Sequence, residues 1–157
     1  MTGKGRQARP QRMLVSSRYS PVRQENVALA NGFPGEAPVR LCPAHGEWIT
    51  ELRHVFDVAW ATAWNDDANR LLAPLLGIAA LPVVTMPPPP FQPRDKIPPI
   101  ARFAGQRPAV WIDDLHPAEA RTWSTGRHEP TLLIPVTPAA GLTRQAIDQA
   151  LTWAKQA

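Results

Sequence analysis

Four side chains in this 157-residue chain have the types and places to do chemistry: Thr62, Lys96, Asp113 and Asp114. The last two close the run Ala109-Val110-Trp111-Ile112-Asp113-Asp114, a short apolar stretch that stops on adjacent acids. Such a run, bounded by turn signals, suits a buried strand of a parallel sheet. Ligands of open α/β sheets bind beyond the carboxyl ends of the strands. Paired carboxylates at such an end suit a hard cation such as Mg²⁺. A plainer reading has one aspartate capping the next helix and the other solvated, and spacing alone leaves both readings open. Thr62 ends a second run, Val58-Ala59-Trp60-Ala61-Thr62, and Lys96 precedes the helix that leads into the Asp113 strand. A hydroxyl, an ammonium and two carboxylates at one rim suit phosphate bound beside a metal. Alternatively, Thr62 simply ends its strand and Lys96 is a solvated loop lysine.

The elements that must position these groups follow from periodicity. Pro43 can open a helix over roughly 43–53, with Trp48, Ile49, Leu52 and Val55 on its apolar side. Phe56 to Ala61 reads as a strand. Asn65 is an expected N-cap, with Asp66 and Asp67 in the first turn and Leu71, Leu72, Leu75 and Leu76 as the buried stripe. Gly77 is the expected C-terminal cap, and Pro74 should kink or break the last turn. Leu81 to Thr85 is a candidate short edge strand. The proline-rich stretch Met86 to Pro93 reads as a stiff surface loop. Ile100, Phe103 and Ala104 share a helix face, Pro117 opens another helix through about Ser124, and Thr131 to Val136 is the last strand. Thr143 caps the final helix, with Leu142 stapling onto Ile147 and Leu151 continuing that face. Alternation of this kind predicts an α/β fold with a mostly parallel sheet and helices on both faces.

Composition removes several classes. No window approaches the ~18–20 consecutive apolar residues of a membrane span, so no membrane partner is expected. Neither a dinucleotide-binding nor a P-loop glycine pattern occurs. His45, His54, His116 and His128 are scattered and read as surface or capping residues, and the six tryptophans as packing. A single cysteine, Cys42, fits a reducing, cytoplasmic setting. The net charge of +4 is uneven: residues 1–40 hold seven Lys/Arg and two Glu, net +5, and the other 117 residues hold ten and eleven, net −1. Residues 1–40 therefore read as a basic, largely irregular leader with one short strand at 12–16, followed by a folded domain over 41–157. Nucleic acid is not an expected partner, apart from non-specific contact by that leader.

Taken in order, Trp60-Ala61-Thr62-Ala63-Trp64, Asp67-Ala68-Asn69 with Leu75-Leu76-Gly77, Leu81-Pro82-Val83-Val84, Lys96, Trp111-Ile112-Asp113-Asp114 and Gly141-Leu142-Thr143 resemble the haloacid dehalogenase-like (HAD) superfamily, in particular its small actinobacterial-type proteins. The resemblance covers roughly 41–157 and implies a HAD-like, Rossmannoid three-layer sandwich. It implies that Thr62 bonds a phosphoryl group, that Lys96 neutralises nucleophile and phosphate, and that Asp113 and Asp114 hold Mg²⁺. It also implies a phosphorylated small molecule as ligand. The family opens on a strand ending in D-x-D-G, whose first Asp is the nucleophile. Here the only acids before residue 47 are Glu25 and Glu36. The segment that must supply this central strand, between the Val58 and Trp111 strands, is 12–16. Ser16 would then stand at the nucleophile's place and Arg18 at the acid's. A serine without a base does not replace an aspartyl nucleophile, and an arginine does not exchange protons at neutral pH. The resemblance therefore implies a catalytically impaired domain. Two alternatives stand beside it: an active Mg²⁺-dependent phosphatase whose N-terminus is truncated or misassigned in this sequence, and a non-enzymatic interaction module.

Overall fold

The computed structural model describes residues 42–137 and 140–157, and the backbone of 11–15. Eleven elements follow in order: β1 (Gln11–Val15), α1 (Ala44–Arg53), β2 (Phe56–Trp60), the π-turn Ala68–Leu72, α2 (Ala73–Leu76), the 3₁₀ turn Pro93–Lys96, α3 (Ile97–Ala104), β3 (Ala109–Asp113), α4 (Ala118–Gly126), β4 (Thr131–Pro135) and α5 (Arg144–Ala154). The strands form one four-stranded sheet, order β2-β1-β3-β4, in which every pairing is parallel. The short strand expected at 12–16 is β1. It lies between β2 and β3, with Val15 level with Trp60 on one side and Ile112 on the other. Ser16 and Arg18, and the leader apart from 11–15, lie outside the described residues.

Side-chain alternation along the strands separates two cores, because successive residues of a strand point to opposite faces. Val58 and Trp60 of β2, Val110 and Ile112 of β3 and Ile134 of β4 pack with Ile49 and Leu52 of α1, Leu72, and Ala146 and Ile147 of α5. Ala59 and Trp111 face the other way, onto Ile100 of α3, Ala120 of α4, Val84 and Met86. Helices thus cover both faces of the sheet. Among the described residues no helix is long and apolar enough to cross a membrane.

Several local expectations change. Asn65 is not a helix cap: its φ is 49°, in the left-handed region that Asn tolerates, and its Oδ1 accepts the Met86 N–H at 2.7 Å. The helix begins later, as a π-turn, and the Ala73 N–H reaches back to the carbonyl of Ala68. The extra residue in that turn shifts the helical phase. Ala68, Leu72 and Ala73 are buried and Leu75 is 43% exposed, so the expected leucine stripe does not hold. Pro74 sits in the first turn of α2, past the break, where its missing N–H is harmless. Gly77 does end α2, at φ 66°. In α1 the buried side is His45, Gly46, Ile49 and Leu52, while Val55 lies past the helix and is exposed. Gly46 permits a close crossing: a Cβ there would lie 1.9 Å from the Leu76 carbonyl oxygen. The expected strand at 81–85 contracts to one bridge, Trp60 to Val83, at the β2 edge. Thr143 caps α5 as expected, accepting from the Ala146 N–H at 3.2 Å.

Candidate functional site

Lys96 is positioned by a capped turn. The Gln92 N–H donates to Asp95 Oδ2 at 2.8 Å, and the Gln92 carbonyl accepts the Asp95 N–H at 2.9 Å. This closes the 3₁₀ turn whose last residue is Lys96. Pro98 and Pro99 follow in the first turn of α3, where no N–H is needed. The lysine side chain is thereby folded under the sheet's carboxyl edge and is only 5% exposed, not solvated in a loop.

Its partner is Asp113, the last residue of β3, which is fully buried. Lys96 Nζ donates to Asp113 Oδ2 at 2.8 Å. Trp111, two residues back and therefore on the same face of the strand, donates its indole N–H to the same oxygen at 3.2 Å. Asp113 Oδ1 accepts the Leu115 N–H at 3.2 Å. Burial alone would push the Asp113 carboxyl up. The Lys96 ammonium, together with hydrogen bonds from Asp114, Lys96 and the Leu115 amide, overcomes this and holds it below the ordinary carboxylate value. Neither aspartate caps α4: its N-cap is Pro117, and no side chain bonds there.

Asp114, half-buried, meets the Asp113 carboxyl through a side-chain hydrogen bond and lines a cleft of about 180 Å³. Lys96 and Asp114 supply the charge of that cleft, and Ala63, Leu115 and the Pro89–Phe91 stretch supply apolar walls. The proline-rich segment is thus one side of the site, held at its start by Asn65. Thr62 stands at the same rim but does not open onto it. It is 1% exposed, and its Oγ1 accepts the Trp64 N–H at 3.4 Å. The structure therefore brings Lys96, Asp113 and Asp114 together and keeps the Thr62 hydroxyl beneath the floor, with Ala63 at the surface.

Sequence reading missed two histidines. His116 is half-buried, three residues past Asp113. Its Nε2 lies 3.1 Å from the Trp111 carbonyl oxygen, and its ring meets Trp111 edge-on at 4.8 Å. His45 is 6% exposed, and its Nε2 lies 2.9 Å from the Leu142 carbonyl oxygen, joining α1 to the turn before α5. Burial lowers the pKa of both, more than the Leu142 hydrogen bond raises that of His45 or the Asp113 charge and the Trp111 hydrogen bond raise that of His116. The available signal was position: one is two residues after a helix-opening proline, the other two residues past a strand-end acid pair.

Mg²⁺ keeps octahedral geometry at about 2.0–2.1 Å from oxygen ligands. The Asp113 oxygens are engaged by an ammonium, an indole and a backbone amide. Among the described residues no group of three or more His, Cys, Asp or Glu side chains is placed to hold a metal. In this arrangement the residues do not fit Mg²⁺. Comparison with protein-family models, with curated proteins and with solved structures finds no match for this chain.

Proposed function

We propose that this chain is a HAD-like domain of the phosphohydrolase type that binds a small phosphorylated ligand and does not turn it over. The observation that carries this reading is the buried Lys96 at the floor of a cleft beyond the carboxyl ends of β2 and β3. An ammonium in a partly desolvated cleft is a natural point-charge holder of phosphate oxygens. The parallel order that places β1 between β2 and β3 supports the same reading, since the HAD resemblance requires a central first strand there. Turnover is not expected because no D-x-D acid pair occurs in the sequence to supply nucleophile and proton donor.

The test has two parts. Titration with inorganic phosphate, followed by NMR, should move the Leu115 amide and the Lys96 side-chain signals. A generic aryl phosphate should not be hydrolysed with or without Mg²⁺. Hydrolysis that disappears in Asp113→Asn would replace this reading with an active phosphatase. No response of either signal to phosphate would leave the cleft without the proposed ligand.

A further inference from the structure

The acid pair at the end of β3 has the composition of a cation site but the wiring of a closed ion pair. A carboxylate offers about four lone-pair directions over two oxygens. In Asp113 one oxygen receives the Lys96 ammonium at 2.8 Å and the Trp111 indole at 3.2 Å, the other receives the Leu115 amide at 3.2 Å, and the Asp114 side chain is a further hydrogen-bond partner. The carboxylate is fully buried and the lysine nearly so, which leaves the pair little contact with water. A divalent cation at bonding distance from Asp113 Oδ2 on the cleft side would overlap the ammonium and repel it. We propose that Lys96 Nζ is a built-in cation occupying the place of a divalent metal at Asp113, so that the site works without metal. Asp114 remains as one carboxylate on the cleft. A single carboxylate with water ligands does not make a strong Mg²⁺ site, since affinity follows ligand charge count and site rigidity. The proposal rests on the same cleft as the reading above but not on phosphate being its ligand.

Removing the built-in cation should uncover the metal site. Lys96→Met keeps the length and apolar stem of the side chain and leaves Asp113 and Asp114 facing one space. Mn²⁺, which accepts the same oxygen ligands as Mg²⁺, is the probe, in full-length protein without phosphate and at matched ionic strength. In the unsubstituted chain Mn²⁺ should not selectively broaden the Asp114 and Leu115 amide signals, and Mg²⁺ should not raise the melting temperature. Lys96→Met should bind Mn²⁺ on the order of a hundredfold more tightly than the unsubstituted chain, and Lys96→Met/Asp113→Asn should lose that gain. Should Lys96→Met fail to fold alone, Mn²⁺ or Mg²⁺ should restore its cooperative unfolding transition. Selective Mn²⁺ binding by the unsubstituted chain that is lost in Asp113→Asn overturns the proposal. So does a Lys96→Met protein with unchanged affinity, or one that no divalent cation rescues. Phosphate titration of the unsubstituted chain is a separate measurement, so a metal-free site and an absent phosphate site give different results.

Discussion

Lys96 and Asp113 hold each other in a place neither would occupy alone. Burying a lone charge costs several kcal/mol, and a buried pair recovers that only when its hydrogen bonds are complete. Trp111 and Leu115 complete them for Asp113. Lys96→Met should therefore destabilise the protein by about 3–5 kcal/mol in urea unfolding, because Asp113 is left buried without its cation. Lys96→Met/Asp113→Asn should recover part of that loss, since a neutral amide has less to lose on burial. The histidines set the pH dependence. Both His45 and His116 have pKa values lowered from 6.5 by burial. The folded state thus prefers them neutral, and the unfolded chain binds their protons first as pH falls. Their contribution is fully present above pH 6.5 and is lost as pH falls below it toward the folded values. Melting temperature should decline across that mildly acidic range, and His45→Gln, which cannot charge but can still donate to Leu142, should flatten the decline. Asp113 acts lower on the scale. Its stabilisation is present above the ordinary carboxylate value of 3.8 and is lost only as pH falls through its lowered folded value.

Between residues and fold, one side chain joins three segments. Asn69, in the π-turn, accepts the Trp60 indole N–H and the Leu81 N–H, each at 2.8 Å, and donates to the Leu81 carbonyl at 2.7 Å. This side chain supplies what backbone pairing does not. Just past Leu81 the backbone meets β2 through two bonds at Trp60, whose N–H donates to the Pro82 carbonyl at 2.9 Å and whose carbonyl accepts from Val84 at 2.8 Å. Asn69→Ala would strand a buried indole N–H and two backbone groups. We expect a loss of about 1–3 kcal/mol by chemical denaturation, with the Trp60 indole proton exchanging faster by NMR. The resemblance had singled out Asp67-Ala68-Asn69 as a motif, and the structure gives its last member a local, structural task. The same logic explains the fate of 81–85: prolines and the Asn69 clasp, with a single bridge to Trp60 rather than a continuous ladder, define its path.

At the scale of the molecule, β1 closes the sheet. It is only five residues long, yet it pairs with β2 on one side and β3 on the other. Without it the buried N–H and C=O groups of two strands would lack partners, which a folded protein does not tolerate. Leu14→Pro removes a ladder donor from the middle of that strand, opposite Ala59 and Trp111. Proline is accepted at sheet edges and not at centres. Leu14→Pro should abolish the cooperative unfolding transition seen by circular dichroism and drive the protein into aggregates on size-exclusion chromatography, as two exposed strand edges would. A molecule in which 11–15 were incidental would tolerate the change.

The central place of residues near 12–16 was what the HAD resemblance implied; the sequence by itself determined the strands β2, β3 and β4, the capped helix α5 and the parallel order. These depend on short-range periodicity and on the rule that buried backbone must be paired, both of which are readable from residue types. It also found Lys96, Asp113 and Asp114 as a group, because strand-end acids and a lysine ahead of a helix fall at one rim in an α/β fold. Only the tertiary structure decided that Lys96 is buried against Asp113, that Asp114 alone of the two acids faces the cleft, that Thr62 lies beneath its floor and that Asn65 holds a loop rather than a helix. Those outcomes turn on which way a side chain points and what charge it meets after packing, and linear spacing carries neither.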